Sequence, residues 1–84
     1  MPNQFKEVLN RLIAHLRERF GPDAVLNEDV DIVDGLGLDS NGVLELLMEI
    51  EDEFDISIPM NQLVDVRTIG QLARKIDELL RATT

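Results

Sequence analysis

The chain has no cysteine. This excludes disulfides, thiolate catalysis and cysteine-built metal sites, and any thiol the protein needs must be brought by something else. Tryptophan and tyrosine are absent as well, and the aromatic residues are Phe5, Phe20 and Phe54. The core must therefore come from Leu, Ile and Val. His15 is the only histidine and sits at the edge of an apolar stripe, so it reads as a boundary residue and not as a metal ligand or triad base. No apolar run approaches the ~20 residues that span a bilayer. Met1 to Glu7 contain no apolar signal region, which predicts a cytoplasmic protein without membrane insertion. Basic residues are scarce, 8 against 17 acidic, for a net charge of −9. Such a chain repels phosphate backbones, and nucleic acid is excluded as a partner.

The 84 residues are 44% apolar, enough for a core and too much for a disordered chain. They make one domain, 1–84, and a chain this short buries only about 60–65% of its unfolded surface. The charge is uneven. No Lys or Arg lies between Arg19 and Arg67, an interval that holds 13 Asp and Glu residues. The middle of the chain presents an acidic surface, whose natural complement is a basic one.

Helical spacing runs from about Asn3 to Arg19, where Phe5, Val8, Leu9, Leu12, Ile13, Leu16 and Phe20 share a face. Gly21-Pro22 stops it. Residues from about Asp23 to Asp39 form a connection too long for an ordinary loop. Val25, Leu26, Val30, Ile32, Val33, Leu36 and Leu38 are expected to pin it to the core, with a helical turn near Glu28 to Val33. A calcium loop begun at Asp29 needs an oxygen ligand fifth, glycine sixth and glutamate twelfth. The chain has Val33, Asp34 and Ser40 there, so Asp29, Asp31 and Asp34 carry no metal prediction.

A second helix is predicted from about Ser40 to Glu53, with an apolar face of Val43, Leu44, Leu46, Leu47, Ile50 and Phe54. Asp55 to Pro59 alternates like a strand but has no partner strand. It reads as an extended linker whose Ile56 and Ile58 plug the core. A short helix follows near Asn61 to Asp65. The last helix starts at Thr68, where Thr68-Ile69-Gly70-Gln71 has the capping-box form, and buries Ile69, Leu72, Ala73, Ile76, Leu79 and Leu80. The predicted fold is all-α, a four-helix bundle of three long helices and one short, with a long first loop.

The stretch around Ser40 organises this bundle. A serine at a helix start reads most simply as part of a cap, and with one histidine it lacks the base that nucleophilic catalysis requires. Yet Leu36-Gly37-Leu38-Asp39-Ser40, then Val43-Leu44-Glu45-Leu46, then Glu51-Asp52-Glu53-Phe54-Asp55-Ile56-Ser57-Ile58-Pro59 form a longer pattern. It resembles the acyl carrier protein family, and the likeness spans nearly the whole chain. The resemblance implies a non-catalytic carrier with 4′-phosphopantetheine, derived from coenzyme A, attached covalently to Ser40. The arm's terminal thiol would hold acyl groups as thioesters and supply the thiol the sequence lacks. Asp39 would serve recognition by a phosphopantetheinyl transferase. Asn41, Glu45, Met48, Glu49, Asp52 and Glu53 would meet acyl-loading and acyl-transfer enzymes with basic docking surfaces. The carrier is expected to be a monomer.

Two departures narrow the expectation. Housekeeping fatty-acid carriers usually place Leu after the serine, whereas here Asn41-Gly42 follows. Their short third helix is usually acidic, whereas Met60 to Val64 is nearly neutral. Both changes fall on the expected docking face and favour a specialised lipid or secondary-metabolite pathway. An aminoacyl or peptidyl carrier and an unmodified helical interaction module are the alternatives.

Overall fold

The structure is a computed structural model that describes residues 4–82, except for the side chain of Met60. Its regular elements are three α-helices, α1 (Gln4–Phe20), α2 (Ser40–Phe54) and α3 (Ile69–Ala82), and one 3-10 turn, Met60–Gln62. The all-α prediction holds. In place of the short fourth helix expected near Asn61 to Asp65 the described residues have only this turn, closed by Gln62 N–H donating to Pro59 O at 3.0 Å, so the bundle has three α-helices and not the four helices expected. Asn3, where the first helix was expected to begin, lies outside the described residues.

Each helix end carries a local reason. Gly21 takes φ +96° and its N–H donates to Arg17 O at 2.8 Å, the left-handed glycine stop that ends many helices. α2 ends at Asp55, φ 54° and ψ 51°, a conformation in which Asp is one of the few tolerated side chains. At the start of α3 the capping box is closed. Gln71 N–H donates to Thr68 Oγ1 at 3.1 Å, and Gln71 Oε1 accepts from Thr68 N–H at 3.1 Å and from Arg67 N–H at 2.7 Å.

α1 packs against α3. Leu12, Leu16, Leu46, Ile50, Ile69, Leu72 and Ile76 are wholly buried. Ile56 and Ile58 fill the core from the linker after α2, as expected. Ile58 N–H is held there by Glu51 Oε2 at 2.8 Å.

Residues 21–39 are fastened to the start of α3 by an isolated antiparallel bridge between Asp31 and Thr68. Ile32 N–H donates to Arg67 O at 2.8 Å, Ile69 N–H to Val30 O at 3.0 Å and Gly70 N–H to Glu28 O at 3.0 Å. Leu26 and Ile32 are buried, and Val30, Leu36 and Leu38 pack partly against the core. Val25 and Val33 do not. They are 71% and 49% exposed, against expectation. Val33 lies in the turn that begins directly after the Asp31 bridge, and that turn carries it out of the core while Ile32 stays buried. The turn hangs on Asp31, whose Oδ1 accepts from Val33 N–H at 2.9 Å and Asp34 N–H at 2.8 Å. Gly35 is required there, because an added Cβ would lie 2.5 Å from Asp31 O and 2.7 Å from Val30 Cγ1.

Candidate functional site

Ser40 is the first residue of α2 and is exposed. The helix starts there because Asp39 caps it. Asp39 is extended, φ −91° and ψ −176°, and its Oδ1 accepts Gly42 N–H at 2.7 Å. Its carbonyl accepts Val43 N–H at 2.9 Å. The first-turn N–H groups of a helix have no acceptor within the helix, so Ser40 stands at the positive end of the α2 dipole.

Ser40 opens on an apolar groove of about 580 Å³ whose walls are Val33, Leu38, Val43, Leu44, Leu47 and Leu63. Leu44 was expected on the buried face. It is 43% exposed and forms a lip of the groove, one helical turn beyond Ser40. A second cavity of about 320 Å³ lies behind, floored by Leu46, Leu72 and Val66 and bordered by Asp31, Asp34 and Arg67. Val33, Val43, Leu47 and Leu63 line both spaces. Four aliphatic side chains are thus the partition between the groove at Ser40 and the interior.

The residues fit a phosphopantetheine group. The hydroxyl is accessible, a helix N-terminus favours a phosphodiester beside it, and an apolar channel begins at the same point. The cap also accounts for the carboxylate next to the serine. Asp39 has a structural function at the helix start, independent of any recognition.

The expected docking residues lie along α2 but not in one state. Asn41, Glu45, Met48, Asp52 and Glu53 are exposed, and Glu49 is half-buried. Three of the acids are already paired with α1. Arg11 Nη2 lies 3.5 Å from Glu53 Oε1 and donates to Glu53 O at 3.1 Å. His15 Nε2 lies 3.1 Å from Glu49 Oε1. Arg19 pairs with Glu49 through Nη1 and reaches Glu45 Oε2 through Nη2 at 3.5 Å. The sequence analysis assigned these acids to docking partners and gave them no partner within the chain. A signal was present. Arg11, His15 and Arg19 recur every four residues, as do Glu45, Glu49 and Glu53, and two such rows on antiparallel helices face each other in reverse order.

Glu51, on the other side, is engaged by Ile58 N–H. Among the described residues no group of three or more His, Asp or Glu side chains is arranged to hold a metal ion. No described helix is long and apolar enough to cross a membrane. In comparison with protein families, residues 10–76 fit the model of the phosphopantetheine attachment site.

Proposed function

Because the chain belongs to the phosphopantetheine attachment family, whose domains carry a covalently bound 4′-phosphopantetheine, we propose that Ser40 is the attachment residue and that the protein is an acyl carrier of a specialised lipid or secondary-metabolite pathway. One observation supports this above the rest. An exposed serine at the N-terminus of α2 opens directly on an apolar groove backed by an aliphatic cavity.

When attached, the arm supplies a terminal thiol that holds cargo as a thioester. The chain's own residues do the rest. Asp39 fixes the helix start and so the direction of the Ser40 hydroxyl. The positive end of the α2 dipole favours the phosphodiester at Ser40. Val33, Leu38, Leu44 and Leu63 give the arm and its cargo an apolar surface to lie on. Movement of the four partition side chains joins that surface to the interior cavity. Beyond Asp39 and Ser40 at its mouth, the groove is lined by aliphatic side chains, which favours acyl cargo over aminoacyl or peptidyl cargo, since an amine or peptide group lying along it would find few partners. His15, the only histidine, is engaged by Glu49, in keeping with a carrier that performs no catalysis of its own.

Partners are a phosphopantetheinyl transferase and the enzymes that load and remove cargo. Asp39, Asn41, Glu45, Met48, Glu49, Asp52 and Glu53 form the surface offered to them. Incubation with coenzyme A, Mg²⁺ and a broad-range phosphopantetheinyl transferase should add the mass of one phosphopantetheine, and Ser40→Ala should abolish the gain. Modification that survives Ser40→Ala, or none with several transferases, would overturn the assignment.

A further inference from the structure

The acids on one flank of α2 face α1 and are occupied by its bases. Arg19 is the base placed to matter for docking. Its guanidinium is divided between Glu49 and Glu45, and the Glu45 side chain is 68% exposed. Glu45 lies about 7.5 Å along the helix axis from Ser40 and Glu49 about 13.5 Å. A standard protein interface covers about 800 Å² of each partner, a disc about 16 Å in radius. An enzyme that brings its active site to Ser40 therefore covers both carboxylates. Arg11 acts further away, on Glu53, and is also stacked over the Phe54 ring at 4.5 Å.

We infer that Arg19 is an intramolecular competitor of docking partners: it holds the position on Glu45 and Glu49 that a partner's Lys or Arg would take, and must be displaced first. This rests on the carrier reading above and adds to it a residue that sets the strength and selectivity of docking. On a free acidic surface each basic contact is a net Coulombic gain. Here one guanidinium replaces another, and the number of charge-assisted hydrogen bonds stays the same. The acidic flank then gives little net affinity. Discrimination passes to the unpaired part of the surface beside Ser40, where Asn41, Leu44 and Met48 are exposed.

The competitor role predicts a sign that a purely structural ion pair does not. Removing Arg19 takes an α1–α2 contact from the fold and yet improves docking. The test uses the full chain and a broad-range phosphopantetheinyl transferase, with kcat and KM for the carrier measured over a range of salt concentrations. Arg19→Gln should lower KM roughly two- to fivefold, the factor an exposed ion pair is worth, with kcat nearly unchanged and a steeper loss of rate with salt. Arg19→Met, which keeps the apolar stem, should do the same and serves if the Gln variant folds poorly. Arg19→Lys should stay near wild type. Lys75→Gln removes the same charge from α3, where Lys75 pairs with Glu78, and should change KM less. In a Glu45→Gln/Glu49→Gln background Arg19→Gln should give no gain. Normal modification of the wild type with KM unchanged or raised in Arg19→Gln and Arg19→Met, or lowered no more than in Lys75→Gln, overturns the inference alone. Absence of any mass gain in the wild type overturns the carrier reading and the inference with it.

Discussion

Asp39 Oδ1 accepts the Gly42 N–H at 2.7 Å, so the carboxylate that precedes Ser40 is the N-cap of the helix that Ser40 begins. The two roles proposed for Asp39, cap and recognition element, are separable by substitution. Asn caps as well as Asp and Ala does not. Asp39→Ala should lower stability by about 1 kcal/mol, which in a domain of this size lowers Tm by roughly 4–8 °C. Asp39→Asn should melt near wild type. If the transferase reads the charge, both variants should be modified slowly. If it needs only an ordered helix start, Asp39→Asn should be modified at the wild-type rate. Thermal melts and transfer kinetics on the same samples decide between these.

Leu44 and Leu46 are two residues apart on α2 and should respond in opposite ways. Leu46 is 1% exposed and Leu44 43%. Leu46→Ala removes buried methyl groups and leaves a cavity, at a cost of about 2–5 kcal/mol. Leu44→Gln should stay within about 0.5 kcal/mol of wild type, because it changes a groove lip and not the core. Urea denaturation measures both. The function should reverse the order: at a temperature where both variants are folded, transfer of acyl cargo to a partner should fall more in Leu44→Gln. A large stability loss in Leu44→Gln would place that side chain in the core after all.

How much of this was legible in the sequence follows from what each signal encodes. The helices were legible because period, cap and stop agree. Gly21 ends α1, Asp39 and Ser40 start α2, and Thr68 with Gln71 starts α3. Ile56 and Ile58 were legible as plugs because no other strand could cover them. The outward sense of Val33 was not, since the turn that holds it follows the bridge between Asp31 and Thr68, a contact across 37 residues that no local pattern encodes. Leu44 failed for a related reason. The apolar stripe of α2 is wider than the core it meets, and the surplus becomes the groove at Ser40. The pairing of Arg19 with Glu45 and Glu49 was legible in principle from two matching four-residue rows, but only once α1 and α2 are known to lie side by side.

Asn41 carries the last prediction. It follows Ser40 on the first turn of α2, is exposed, and stands where the general fatty-acid carriers it resembles usually place Leu. A leucine there offers a partner up to about 1.5–3 kcal/mol if fully buried in an apolar pocket. Asparagine offers none of that, and a partner that covers it must satisfy its amide or leave it wet. The protein, correctly modified, should therefore be a poor substrate for a general fatty-acid condensing enzyme. Asn41→Leu should raise kcat/KM there, through KM, by up to roughly ten- to a hundredfold, at tenfold for each 1.4 kcal/mol. The fold should not suffer, because the position is exposed and Leu is the better helix former. The measurement loads wild type and Asn41→Leu with the same acyl group and compares turnover at matched concentrations, with a thermal melt of each. Equal turnover, or a gain confined to kcat, would show that the residue after Ser40 does not select partners, and the case for a specialised pathway would then rest on the nearly neutral Met60 to Val64 segment alone.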